Sequence, residues 1–278
     1  MARWPGFFRR ESRARPEAGR PQRVGLVLGG GAVRGAAHLG VLSVFEREGF
    51  HPDLIVGTSV GAILGAGVAA GRPSSEMWEV FRRLDWRDVT RPAWRSKLSM
   101  LESDPLGELI TRITGVERIE DLDRPFAAVA CDLLTGSRVA LRSGDLPTAL
   151  AGSCAIPGAF EPVRHDGTLL VDGGAVDNLP VDVALEMGAD YVVAIDIMPA
   201  LDGSHEPRDL RDVVLMAWNI VEHNTEDGRE RAHLVVTPDV ARVRLSDFRE
   251  APVAYDAGVA AAESVLDRLR SDLGLGST

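Results

Sequence analysis

Three glycine-rich stretches contain the residues whose types and spacing could do chemistry. Gly57-Thr58-Ser59-Val60-Gly61 is a G-x-S-x-G pattern placed between a short apolar run and a stretch of small residues. A serine on a tight strand-to-helix turn is pushed out of the backbone, flanking glycines relieve the crowding, and the helix N-terminus favours nearby negative charge. Ser59 is therefore expected to be a nucleophile, the plainer alternative being a capping serine in a glycine-rich turn. Gly29-Gly30-Gly31-Ala32-Val33-Arg34-Gly35 closes an earlier apolar run and opens a helix. Successive amides in such a place make an anion site, suited either to a dinucleotide pyrophosphate or to the oxyanion of an attacked ester. Leu169-Leu170-Val171-Asp172-Gly173-Gly174 puts an acid at the end of a strand, before glycines that free the turn. Asp172 could take a serine proton directly, or bond its own turn as loop aspartates commonly do, and the residues alone leave both open.

Several other chemistries are excluded by spacing. A G-x-G-x-x-G dinucleotide fingerprint needs glycine at position 34 or 32 and meets Arg34 or Ala32, and the second strand ends in Gly57-Thr58-Ser59 where a ribose-binding acid would be expected. The sole lysine, Lys97, follows Ser96, so no phosphate-binding Gly-Lys-Ser/Thr exists. Of the six histidines, His38 falls within the first helix and is expected to pack there. His51, His165, His205, His223 and His233 lack a defining motif, so no triad histidine is nominated. Cys131 and Cys154 have neither paired spacing nor a ligand cluster around them. They are expected to be small buried hydrophobes in a reducing compartment, with no metal and no cofactor implied.

The elements that must position these residues alternate in type. Val24–Leu28 and Leu54–Val56 are continuous apolar runs, as for strands buried on both faces of a parallel sheet. Each is followed by a helical pattern, the first over Val33–Phe45 with Gly49 as its stop, the second over Val60–Ala70. Further strands are expected at Phe126–Cys131, Arg138–Leu141, Leu169–Val171, Tyr191–Ile197 and Leu234–Val236, with a closing helix over Tyr255–Leu273. Pro199–Arg208 reads as a polar loop. Residues 73–123, with Trp78, Trp86 and Trp94 but no chemical motif, are expected to be a helical insertion or cap. The apolar stretch Ile55–Ala70 is too short to span a bilayer and too rich in glycine, alanine and serine. Strand and helix in alternation imply an α/β domain with a mainly parallel sheet.

The chain of 278 residues carries a net charge of −10, which disfavours nucleic acid as a partner. Its first 23 residues hold seven arginines against two glutamates, a local charge of +5, with Trp4, Phe7 and Phe8 among them. Such a segment suits an anionic membrane surface, although three prolines make a disordered leader the plainer expectation. It lacks the apolar run of a secretory signal, and cytoplasmic location is the default expectation, with the arm offering a peripheral contact to the inner face of the membrane.

The three stretches in this order, with no histidine required, resemble the patatin-like phospholipases, in the bacterial branch similar to neuropathy target esterase. The resemblance is carried by Leu26–Leu42 (LVLGGGAVRGAAHLGVL), Ile55–Gly61, Ser153–Gly158 (SCAIPG) and Val171–Pro180 (VDGGAVDNLP). It implies a three-layer α/β fold with a mainly parallel central sheet flanked by helices, over a single domain at 23–275 preceded by the basic arm at 1–22. It also implies a Ser59–Asp172 dyad in which Asp172 accepts the Ser59 proton, and an oxyanion hole from the amides around Gly30, Gly31 and Ala32. Gly57, Gly61, Arg34, Gly35, Gly173 and Gly174 are the motif positions. The substrate implied is a lipid or other acyl ester. Transfer of the acyl group to a lipid hydroxyl, and a lipid-binding protein of weak turnover, are the alternatives. The chain departs from the family loop at Ala32, which replaces its third glycine; alanine keeps the N–H an oxyanion needs but disfavours positive φ by about 1 kcal/mol or more.

Overall fold

The computed structural model describes residues 23–92, 98–102, 104–199, 203, 206–225 and 228–275. The basic arm at 1–22, Trp94, Lys97 and His205 lie outside these residues. Strand β1 (Val24–Leu28) leads through a 3-10 turn at Ala32–Gly35 into helix α1 (Ala36–Arg47), and β2 (Leu54–Thr58) leads into α2 (Val60–Ala69). Then come α3 (Ser74–Phe81), α4 (Trp86–Val89), β3 (Arg91–Pro92), β4 (Ser99–Glu102) and α5 (Asp104–Thr114). The central part comprises β5 (Phe126–Asp132), β6 (Arg138–Leu141), α6 (Leu146–Ser153), β7 (Gly158–Phe160), β8 (Val163–His165) and β9 (Thr168–Asp172). The chain closes with α7 (Val181–Glu186), β10 (Tyr191–Ile195), α8 (Leu210–His223), β11 (Leu234–Val236) and α9 (Ala251–Leu273).

The main sheet has the order β11-β10-β1-β2-β5-β9-β8, with β6 also on β5. The strands from β11 to β5 run parallel, and β6, β9 and β8 are antiparallel additions. Apart from Thr58 and Asp132 at the ends of β2 and β5, the parallel strands are built from apolar residues because both faces are covered. Leu26 and Leu28 of β1, Ile55 of β2 and Val193 and Ile195 of β10 point into a core shared with α1, α2, α5 and α9. The intervening Val27, Leu54, Val56, Val192 and Ala194 point the other way, onto Leu179, Val181, Val183 and Ala184 around α7. A side-chain period of two with a helix layer on each face gives the continuous runs seen in the sequence.

Residues 73–123, expected to be a helical insertion or cap, hold strands as well as helices. They contain β3 and β4 besides α3, α4 and α5, and β4 pairs with β7 from the main body to form a separate three-stranded sheet. Strands of two to four residues are too short to show alternation and leave no periodic signal. Among the described residues no helix is long and apolar enough to cross a membrane.

Candidate active site

Ser59 occupies the junction between β2 and α2 with φ 54° and ψ −127°. A non-glycine residue at positive φ is strained, by about 1–3 kcal/mol, and persists only where its surroundings hold it. Here the Ser59 N–H donates to Ser153 Oγ at 2.9 Å, and Ser153 Oγ donates onward to the Val129 carbonyl at 2.6 Å. The Ser59 carbonyl accepts from the Ala62 and Ile63 amides at 2.9 and 3.2 Å. Both backbone groups are thus committed, while the hydroxyl makes no capping bond to α2. The flanking glycines are dictated by close approach: a Cβ on Gly57 would lie 2.4 Å from the Gly61 carbonyl oxygen, and one on Gly61 would lie 2.2 Å from that of Leu28.

The glycine loop after β1 runs beside this serine. A Cβ on Gly30 would sit 3.3 Å from Ser59 Cβ and 2.5 Å from Asn178 Oδ1, so no larger residue fits. The Gly29 amide donates to the Ile195 carbonyl at 3.1 Å and the Gly30 amide to that of Asn178 at a longer 3.3 Å. Among the described residues the Gly31 and Ala32 amides, which open the 3-10 turn, donate no hydrogen bond. Ala32 does adopt the left-handed conformation that alanine disfavours, at φ 47°. Arg34 is buried, with Nε donating to the Val243 carbonyl at 3.0 Å and Nη1 to Asn219 Oδ1 at 2.7 Å, so it ties the loop to α8. Gly35 packs against Val60 of α2, where a Cβ would lie 2.5 Å from Cγ2.

Sheet register brings Asp172 to the same place. Thr58 pairs with Val129 and Asp172 with the next residue, Ala130, while Ala140 and Val139 take the opposite edge of β5. Strand β9 therefore takes over from β2 along one edge, and Asp172 follows where the chain leaves the sheet at Ser59. Gly173 packs into this junction, a Cβ there lying 2.3 Å from the Val129 carbonyl oxygen. Asp172 is fully buried. Its Oδ1 accepts from the Gly174 amide at 2.9 Å, so the local turn bond exists; its Oδ2 has no hydrogen-bond partner. Burial pushes its pKa from 3.8 up to about 7, against the lowering effects of the Gly174 amide and the Ser59 hydroxyl. A carboxyl so placed holds or releases a proton near neutrality.

Sequence reasoning missed Glu222, on the last turn of α8. It is buried, and its Oε1 would lie 3.2 Å from a Cβ on Gly30 and 2.8 Å from one on Gly174. Burial and the negative charge of Asp172 push its pKa well above the carboxylate range, against the Trp218 side chain and Arg34. No local signal marks it, because its neighbours Gly30 and Gly174 come from distant segments. Cys154 lies beside the serine as well; burial raises its thiol pKa well above the usual value, so it stays neutral.

Among the described residues the histidines stay apart from this chemistry. His38 is buried in α1 with Nε2 donating to the Gly29 carbonyl at 2.8 Å, and burial lowers its pKa to about 4. It buttresses the glycine loop as a neutral group. His51 and His223 are exposed, His165 lies beside Asp166, and His233 stacks on Tyr191. Ser59 instead opens into an apolar cavity of about 100 Å³, walled by Ile63, Leu109, Ile113, Ile156, Phe160 and Phe248.

Comparison with known proteins bears on the family and the fold. The family model described as patatin-like phospholipase matches residues 26–185, more than half of the chain. An uncharacterized NTE family protein of Mycobacterium tuberculosis is 36% identical over 201 residues, which cover 70% of this chain and 54% of the relative. Human patatin-like phospholipase domain-containing protein 6 is 34% identical over 236 residues, covering 80% of this chain and 16% of that much longer protein. The chain thus spans about half the length of the mycobacterial relative. The crystal structure of VipD from Legionella pneumophila has a similar fold, with a TM-score of 0.61 at 14% identity, covering 92% of this chain and 69% of that one.

Proposed function

The chain belongs to the patatin-like phospholipase family, and from that premise we propose that it is a serine lipid acyl hydrolase working through Ser59 and Asp172. Ser59 Oγ attacks the ester carbonyl carbon while Asp172 takes its proton, forming a tetrahedral oxyanion. The Gly31 and Ala32 amides donate to this oxyanion, joined by that of Gly30 if it gives up its long 3.3 Å bond to the Asn178 carbonyl. Asp172 returns the proton to the departing alcohol, leaving the acyl group on Ser59. It then deprotonates a water that attacks the acyl-enzyme, and the fatty acid leaves as Ser59 regains its proton. No histidine takes part.

The observation that carries this reading is the buried Asp172 carboxyl, whose pKa the Ser59 hydroxyl lowers against burial, at the sheet edge where the strained Ser59 departs. The apolar cavity at Ser59 supports an acyl chain as the group held there. Hydrolysis of a short neutral ester such as p-nitrophenyl butyrate tests it: the Ser59→Ala protein should lose roughly 1,000-fold or more in kcat, as removal of a nucleophile does. Unchanged turnover in that variant refutes it. The arm at 1–22, with a charge of +4, further supports a peripheral contact with anionic membrane, which its deletion should weaken in vesicle co-sedimentation.

A further inference from the structure

Leu84, Trp86 and Phe248 line two cavities, the apolar one that contains Ser59 and a larger open one of about 830 Å³. The larger cavity has the opposite chemistry. Seven arginines and three aspartates line it, +4 by difference; Glu79, paired with Arg82 and Arg83, and Asp212, paired with Arg208, lie outside the lining and leave +2, in a chain whose net charge is −10.

The aspartates are all committed. Asp85 caps α4 by accepting from the Arg87 amide at 3.2 Å. Asp209 caps α8 by accepting from the Asp212 amide at 2.9 Å. Asp247 pairs with Arg249 at 2.6 Å and Arg208 at 3.4 Å. Several arginines are not. Among the described residues Arg87 and Arg91 have no carboxylate partner. Arg211 reaches Asp209 only at 3.3 Å, lies over the Trp86 ring at 5.4 Å, and has a buried Nε with no acceptor. Guanidinium groups keep their charge at any working pH and present donor forks that match phosphate oxygens.

We propose that this cavity is an anionic headgroup subsite, which takes the phosphate of a lipid whose acyl chain enters the apolar cavity. The proposal rests on the hydrolase reading and adds the substrate class to it. The two cavities adjoin at Leu84, Trp86 and Phe248, and the proposal includes an opening between them through which one amphiphile fills both. A phosphate monoester is favoured over a zwitterionic headgroup, whose ammonium meets further positive charge, and over a neutral glycerol, which offers nothing to a guanidinium.

The test uses lysophospholipids of one chain length below their micelle concentration: a phosphate monoester, a choline diester and a neutral monoacylglycerol. The 278-residue chain should show the lowest KM for the monoester, and Arg87→Gln/Arg91→Gln should raise that KM about 5- to 20-fold relative to the monoacylglycerol. Circular dichroism confirms that the variant is folded. Equal KM values across the headgroups, or a monoester preference that survives the double substitution, overturn the proposal. Binding is measured separately in Ser59→Ala protein by tryptophan fluorescence, with the monoester lipid and with inorganic phosphate as titrants. Tighter binding of the lipid, weakened by the arginine substitutions, supports the subsite even if no ester is hydrolysed, in which case the hydrolase reading alone has failed. Inorganic phosphate binding as tightly as the lipid overturns the headgroup assignment in favour of a free-phosphate site.

Discussion

Replacing Asp172 by asparagine should stabilise the protein at alkaline pH while removing its activity. The carboxyl is buried and its pKa is raised from 3.8 to about 7. A shift of roughly 3 units corresponds to about 4 kcal/mol of cost for holding the charged form in the fold. The sign follows from proton binding. Between about pH 4 and pH 7 the folded state keeps a proton that the unfolded chain has lost, so stability falls as pH rises through this window and is level above it. Asparagine keeps an oxygen for the Gly174 amide and carries no charge, but its NH₂ takes the place of Oδ2, where a poorly satisfied donor costs about 1–3 kcal/mol. The net gain expected at pH 8 is about 2 kcal/mol, shrinking by about 2–3 kcal/mol at pH 5 as the wild type recovers its proton. Urea unfolding of both proteins at the two pH values measures it. A stability difference that does not change with pH would refute the argument that Asp172 is a buried, basic carboxylate.

Other outcomes follow from the same geometry. The acid limb of kcat/KM should fall tenfold per pH unit below about 7, because the protonated Asp172 cannot take the serine proton, and a limb centred near pH 4 would contradict this. Gly30→Ala places a Cβ 2.5 Å from Asn178 Oδ1 and should cost about 1–3 kcal/mol in thermal or urea unfolding, together with most of the ester hydrolysis. Ala32→Gly removes a left-handed alanine worth about 1–2 kcal/mol of strain, offset in part by the greater entropy of glycine in the unfolded chain. It should leave stability unchanged or raised by up to about 1 kcal/mol, without loss of activity.

What could be read from the sequence was whatever glycine and apolar runs mark locally. Val24–Leu28 and Leu54–Val56 are strands because both faces of a parallel sheet are covered, and that condition writes itself as an unbroken apolar run. Ser59 and Asp172 could be singled out because each ends a strand and meets glycines required by close backbone approach. Helix α8 was not legible. Leu215 and Trp218 face inward while Leu210, Val213, Ile220 and Val221 stand exposed, so apolar residues surround the helix and blur its period. Glu222 was hidden with it, since its meaning comes from Gly30 and Gly174 on other segments. The basic cavity is likewise a product of the fold: Arg87 and Arg91 meet Arg211 and Asp247 only after the chain has crossed the whole sheet.

Reaction with a fluorophosphonate, mapped by mass spectrometry, tests the Ser59–Asp172 pairing most directly, because only an activated serine reacts. At pH 8 the wild-type chain should be labelled on Ser59, and labelling should slow by orders of magnitude in Asp172→Asn, though that protein is folded. Absence of label, label on another serine, or equal rates in the two proteins would contradict the pairing.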